Sequence, residues 1–225
     1  MEVAKSIFRR LPVPRVLRGL RACLAILAFD YGMARSLRIQ APVDRDGQPL
    51  PWYTFPAIDY LKQLDLESKS IFEYGAGFST LFWRKRARRV VSVEDDPGWY
   101  KRITADLGPD AEVILAQDRD AYVNALTHYP RFDIVVVDGS YRLECARVAT
   151  QYLASGGMIL LDNADSYADV VRVLNEASLI QVDMRGFGPA NPFVWTTSLF
   201  LHPAFQFRHR ALGWGEQGGR PVSTR

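Results

Sequence analysis

Residues 70–94 constrain this chain more than any other stretch. Ser70-Ile71-Phe72-Glu73 is a short apolar run ending in an acid, and Tyr74-Gly75-Ala76-Gly77 follows with two glycines one residue apart. Phe78-Ser79-Thr80 opens an amphipathic segment, and a second apolar run, Arg89-Val90-Val91-Ser92-Val93, again ends in an acid, Glu94. Strand, glycine turn, helix and strand in that order spell a βαβ unit of the nucleoside-binding kind. Glycine is needed where the backbone approaches a ligand so closely that a Cβ would collide. The second acid stands where a carboxylate accepts hydrogen bonds from both hydroxyls of a ribose. These features narrow the ligand to an adenosine-containing cofactor.

The rest of the chain keeps this rhythm. Strands are predicted near 70–74, 89–94, 111–116, 132–138 and 156–161, alternating with helices near 78–87, 97–107, 119–127, 142–154 and 166–176. Asp96 suits an N-cap with Pro97 at the first helical position, and Gly108 suits a terminator. The runs Ile134-Val135-Val136-Val137 and Met158-Ile159-Leu160-Leu161 lack alternation, as strands covered on both faces do. Two further strands near 178–184 and 194–201, joined by a loop over 185–193, have no helix between them and should pair as an antiparallel hairpin at the sheet edge. The expected fold is α/β, a Rossmann-like, doubly wound, seven-stranded and mostly parallel sheet with that hairpin at its C-terminal end.

Outside this core the chain changes character. Residues 1–51 read as a basic helical extension followed by a Pro- and Gly-rich loop, 52–202 as the main domain with a helix near 56–66, and 203–225 as a loose polar tail. Residues 1–40 carry eight basic against two acidic side chains, a balance of +6 in a chain of net charge +3. The remainder is therefore acidic, and no basic stripe marks a nucleic-acid enzyme. Residues 5–38 read either as a membrane-surface or partner-docking element, or as a solvated cap packed on the core by Leu17, Leu20, Leu24 and Leu27. Cys23 and Cys145 stand far apart and outside any CxxC spacing, as reduced thiols of a cytoplasmic protein do. No run approaches the roughly 20 apolar residues needed to span a bilayer. The short run 22–29 behind a basic leader is ended early by Asp30, without a clean cleavage site, which disfavours a signal peptide.

Two classes compete for the opening motif. A nicotinamide-dependent oxidoreductase requires GxGxxG, and Thr80 stands at the third glycine position. The chain instead resembles the class I S-adenosylmethionine-dependent methyltransferases over about residues 52–202. The likeness rests on Glu73-Tyr74-Gly75-Ala76-Gly77, Glu94, Gln117-Asp118, the run Phe132 to Gly139, Gly156-Gly157 and the closing hairpin. It implies S-adenosyl-L-methionine as cofactor. Gly75 and Gly77 would line its methionine portion with Ser79 following, Glu73 would orient its ammonium, and Glu94 would hold its ribose. Asp118 would lie near the adenine, or cap the helix at 119. Alignment of the acceptor with an already activated methyl group is the main catalytic need, so no Ser-His-Asp or Cys-His arrangement is expected.

The acceptor side rests on three polar residues at strand ends. Asp138, Asp162 and Asn163 should face the crevice at the carboxyl edge of the sheet. They are similar to the metal-binding trio of catechol and caffeoyl-CoA type O-methyltransferases, which implies a divalent cation, Mg or Mn. That family places a lysine base three positions after the first aspartate, where this chain has Tyr141 followed by Arg142. Without a metal, Asp138 is the expected general base and Tyr141 the residue orienting the acceptor, while Asp162 and Asn163 cap the following turn. Trp52, Tyr53 and Trp195 are expected against the acceptor, the first two alternatively as packing. His128, His202 and His209 fall on the wrong edge or in the tail. O-methylation of a small-molecule or sugar-like acceptor is the expected function, with no nucleic-acid partner; the pattern speaks to no oligomeric state. The alternatives are a non-catalytic Rossmann-like module docking on a membrane or partner through residues 5–38, and a nicotinamide-dependent oxidoreductase.

Overall fold

The apolar runs of the sequence become the strands of one sheet in the computed structural model, which describes residues 14–107 and 112–210. The strands are β1 Ser70–Tyr74, β2 Arg89–Glu94, β3 Glu112–Leu115, β4 Phe132–Val137, β5 Leu153–Leu161, β6 Ile180–Gly188 and β7 Asn191–Leu201. Their order is β3-β2-β1-β4-β5-β7-β6. β1 to β5 run parallel, and β7 inserts antiparallel between β5 and the edge strand β6. The chain steps outward from β1 through β2 to β3 and then returns to β4. The strand order thus reverses between β1 and β4, where open sheets of this kind form their ligand crevice.

Alternate side chains of each strand feed two cores. On one face Ile71, Val90, Ile134, Val136, Met158 and Leu160 pack with Ile58 and Leu61 of α3 (Phe55–Gln63) and Phe82 and Trp83 of α4 (Phe78–Arg84). On the other, Phe72, Tyr74, Val91, Val135, Val137 and Ile159 pack with α6 (Arg119–Asn124), α7 (Arg142–Tyr152) and α8 (Ala168–Glu176). Burial on both faces is why β4 and β5 need continuous rather than alternating apolar sequence. Phe72 is wholly buried, and truncating such a ring costs about 3–5 kcal/mol. Asp133 fastens the opposite end of the sheet, accepting from the Ser70 N–H at 2.9 Å and from Lys69 Nζ at 3.3 Å.

Local signals place the helices. α5 (Pro97–Asp106) begins where expected, with Asp96 accepting from the Trp99 N–H at 2.5 Å; Gly108 lies outside the described residues. α6 continues into a 3₁₀ turn, Ala125–His128, and α8 is preceded by another, Ala164–Ser166. α3 ends at Gln63 rather than near 66, because Leu64 turns to extended backbone and bridges His209.

The hairpin differs most from expectation. Strand pairing continues through Arg185↔Thr196 and Gly186↔Trp195 to Gly188↔Asn191, so Pro189 and Ala190 alone make the turn. Two glycines and a proline obscured these strands, yet the glycines' lack of bulk is what lets the strands pack. A Cβ on Gly188 would fall 2.2 Å from the Trp195 ring and 2.5 Å from the Tyr53 carbonyl. Residues 203–210 are not a loose tail either: Phe205 stacks on Phe207 at 4.7 Å, and Phe207 is buried beside Lys69.

At the N-terminus, α1 (Arg15–Ala25) runs through a π-helical turn, Ile26–Asp30, into α2 (Met33–Ile39). Lys5, Arg9 and Arg10 lie outside the described residues. Of the four leucines expected to pack this segment on the core, only Leu27 does so; Leu17, Leu20 and Leu24 are exposed. Among the described residues no helix is long and apolar enough to cross a membrane.

Candidate functional site

Two clefts adjoin at the carboxyl ends of β1 and β4. The first is lined by Gly75, Ala76, Gly77, Ser79, Glu94 and Asp95 on one side and by Asp138, Gly139 and Ser140 on the other, with Trp52 and Trp99. The second is lined by Asp138, Asp162, Asn163, Asn191, Trp52 and Trp195. Trp52 and Asp138 belong to both. Their cavities are of similar size, about 240 and 300 Å³.

The glycine turn is shaped by its own backbone. Gly75 has φ +92°, and a Cβ there would lie 2.7 Å from Gly139 Cα. Gly139 in turn has no room for a side chain, because Tyr122 Oη would be 2.0 Å away. The two strand ends therefore meet glycine to glycine, and the floor of the first cleft is bare main chain. Gly77 starts α4, and its N–H donates to Thr80 Oγ1 at 2.9 Å. Thr80 Oγ1 in turn donates a hydrogen bond to Glu73 Oε2, which also accepts from Ser92 Oγ at 2.8 Å. This chain of bonds explains why threonine replaces the third glycine: its hydroxyl couples the turn to the buried acid.

Glu73 is fully buried, and its Oε1 has no partner among the described residues. Burial raises its pKa to about 7, while the Ser79, Thr80 and Ser92 hydroxyls pull the other way. Glu73 lines neither cleft, so its orphaned oxygen lies behind the glycine turn and would act on a ligand ammonium only through water or a small shift of the turn. Glu94 is pinned at the rim, its Oε1 accepting from the N–H groups of Asp95 and Asp96 at 3.1 and 2.9 Å. Burial raises its pKa as well. Trp99 is locked in place by its Nε1, which donates to the Ala76 carbonyl at 2.6 Å, so its ring walls the cleft.

Asp138, Asp162 and Asn163 do converge, and Arg142 sits among them. Its Nη2 donates to both Asp138 Oδ1 and the Asp138 carbonyl at 3.0 Å. Its Nη1 donates to the Asp162 carbonyl at 2.5 Å and to Asn163 Oδ1 at 3.3 Å, and Nε to the Gly139 carbonyl at 3.1 Å. The guanidinium also lies over the Tyr167 ring at 4.5 Å. Asp162 Oδ1 meanwhile accepts from Thr197 Oγ1 at 2.5 Å and Trp195 Nε1 at 3.1 Å. The donor set does not suit a divalent cation: a fixed positive charge already shares its oxygens, and Asp162 is turned toward β7. Burial, with Glu73 nearby, pushes Asp138 up to about 7 against the opposing pull of Arg142. Burial and the neighbouring Asp138 charge push Asp162 well above the carboxylate range.

Other expected residues fall elsewhere. Tyr141, left-handed at φ +51°, lies edge-on to Tyr122 at 5.9 Å with Arg119 over its ring at 5.8 Å, and lines neither cleft. Asp118 caps α6 by accepting from the Ala121 N–H at 2.9 Å and does not line the first cleft. Tyr53 is wholly buried behind the clefts, with its hydroxyl pKa raised by burial and by Glu73, Asp138 and Asp162. Trp52 and Trp195 do line the second cleft. Sequence reasoning missed Trp99, Asn191 and the role of Arg142. Trp99 carried a signal, an aromatic in the first turn after the Glu94 strand. Asn191 was hidden in the supposed loop.

No protein-family model matches the chain, and no curated protein matches it. Solved structures share its fold. One is a precorrin-6y C5,15-methyltransferase from Geobacter metallireducens, with a TM-score of 0.52, 16% identity, and coverage of 64% of this chain and 87% of that one. Another is a methyltransferase-like protein from Silicibacter pomeroyi, with a TM-score of 0.50, 20% identity, and coverage of 71% and 92%. The chain has the fold of the class I S-adenosylmethionine-dependent methyltransferases.

Proposed function

We propose that this protein transfers a methyl group from S-adenosylmethionine to a hydroxyl of a small, sugar-like acceptor. The observation that carries the reading is Asp138, shared between a glycine-floored cleft and a second, polar cleft. Glu94 would hold the ribose, Gly75 and Gly77 would admit the methionine portion, and Glu73 Oε1 would act on the ammonium through water or a small shift of the turn. When bound, the cofactor supplies an electrophilic methyl group on a sulfonium. The protein's part is then to place a hydroxyl oxygen in line and remove its proton.

Asp138 is the group for that proton. Its pKa of about 7 leaves it readily ionised yet basic enough to accept, and the Arg142 guanidinium steadies the carboxylate between turnovers. Arg142 would thus do with a fixed charge part of what a cation does in metal-dependent relatives. Burial and the neighbouring Asp138 charge raise the Asp162 pKa, which favours its protonated form, and in that form it would donate a hydrogen bond to an acceptor. Trp52 and Trp195 with Asn163 and Asn191 make a wall of ring faces and amides, the mixture that holds a ring bearing several hydroxyls.

The experiment is calorimetric titration with S-adenosylhomocysteine, followed by transfer of labelled methyl from S-adenosylmethionine to a panel of monosaccharides, polyols and phenols. Binding with transfer that disappears in Asp138→Asn supports the reading. No heat at millimolar ligand refutes it, and preferential labelling of RNA instead would refute the small acceptor.

A further inference from the structure

A helix should bury its apolar stripe, and α1 does not. Every residue of Arg15–Ala25 is exposed, including Val16 at 72%, Leu20 at 55% and Leu24 at 65%. Yet the sequence is sharply two-sided. At about 3.6 residues per turn, Val16, Leu17, Leu20 and Leu24 fall on one arc, and Arg15, Arg18 and Arg21 on the opposite one. Its C-terminal continuation is firmly held: Tyr31 Oη donates to Asp59 Oδ2 at 2.7 Å, and its ring lies 4.5 Å from Phe55. The helix is therefore tethered at one end to α3 while its apolar arc stays open.

Charge identifies what covers it. Between Glu2 and Asp30 the sequence contains no acid and six bases, the three helical arginines with Lys5, Arg9 and Arg10. A second copy of α1 would bury the leucines but leave the arginine arc unmatched, with no acid of the segment to balance it. An anionic lipid surface satisfies both arcs at once, taking the leucines below the headgroups and the arginines among the phosphates. We infer that this protein binds anionic membranes peripherally through α1, lying in the interface with its leucine arc inserted. The inference stands independently of the chemistry in the clefts.

Cys23 gives a direct probe, since it is an exposed thiol on α1 while Cys145 is buried. The full-length protein, labelled at Cys23 with an environment-sensitive dye, is titrated with vesicles of equimolar phosphatidylcholine and phosphatidylglycerol, and with pure phosphatidylcholine. The dye emission should shift to the blue with anionic vesicles at about a hundredfold less lipid than with neutral ones, as three surface arginines imply. The pair Leu20→Glu and Leu24→Glu should abolish the shift, and the pair Arg18→Glu and Arg21→Glu should erase the anionic preference. Both pairs are exposed, so the melting temperature should not move, and co-sedimentation of unlabelled protein checks that the dye is not the anchor. Equal response to both vesicles, or none at low salt, overturns the inference. So does a concentration-dependent dimer without lipid that the leucine pair abolishes, because a second copy would then be the cover.

Discussion

Glu73→Gln tests the central electrostatic feature of the site. The Glu73 carboxyl is fully buried and its pKa is raised from 4.5 to about 7. A carboxyl that binds its proton more tightly when folded favours the folded state at low pH. That contribution is lost as pH rises from about 4.5 through about 7. Glutamine has no proton to lose and keeps an acceptor oxygen for Thr80 and Ser92. A rise from 4.5 to about 7 corresponds to about 3 kcal/mol in full, most of which falls between roughly pH 5 and pH 8. The stability of Glu73→Gln relative to wild type should therefore improve by about 2–3 kcal/mol across that interval. Urea denaturation of the ligand-free protein at the two pH values measures it, and because Glu73 also helps to raise Asp138, the same pair compared in an Asp138→Asn background isolates the Glu73 contribution. Cofactor affinity should move the other way, weakening tenfold or more as the ammonium loses its counter-charge. Parallel stability curves for the two proteins would show that Glu73 titrates normally and refute the argument.

Other outcomes follow from the same geometry. Asp138→Asn should lower turnover by about 10²–10⁴-fold with cofactor heat retained, and wild-type activity should rise with pH through about 7, because only the ionised carboxylate accepts a proton. A flat profile there would remove Asp138 as the base. Gly75→Ala should destabilise by about 1–3 kcal/mol and lose cofactor heat, since φ is +92° and the new methyl meets Gly139; thermal melts and calorimetry report both. Turnover should survive a chelator, whereas Arg142→Lys should cost at least about tenfold, because one ammonium cannot replace a planar fork reaching Asp138, Asp162 and Asn163. Restoration of Arg142→Ala by added Mg or Mn would instead show that the three oxygens can serve a cation. Trp52→Ala should raise both the cofactor Kd and the acceptor KM, as the ring borders both clefts.

Much of this protein is written in local sequence. The boundaries of β1 and β2, the N-cap of α5 and the glycine turn are visible because periodicity, capping and backbone freedom act over a few residues. The pairing of Gly75 with Glu94 is legible for the same reason, since a βαβ unit fixes both in one stretch of chain. What lies across the sheet is not. That Arg142 reaches into the Asp138, Asp162 and Asn163 group depends on β4 and β5 being neighbours and on the angle at which α7 leaves its strand. Pairing of β6 with β7 up to Gly188 depends on Trp195 and Tyr53 filling the space that a Cβ would need. Tyr53 and Tyr141 looked alike as aromatic candidates, but packing buried one behind the clefts and turned the other toward Tyr122. The amino-acid order by itself determined a βαβ unit with the pattern of a nucleoside-binding turn and the residues that shape that turn. Only the tertiary structure decided which charges meet there, because contact between distant segments follows from strand order and packing rather than from spacing along the chain.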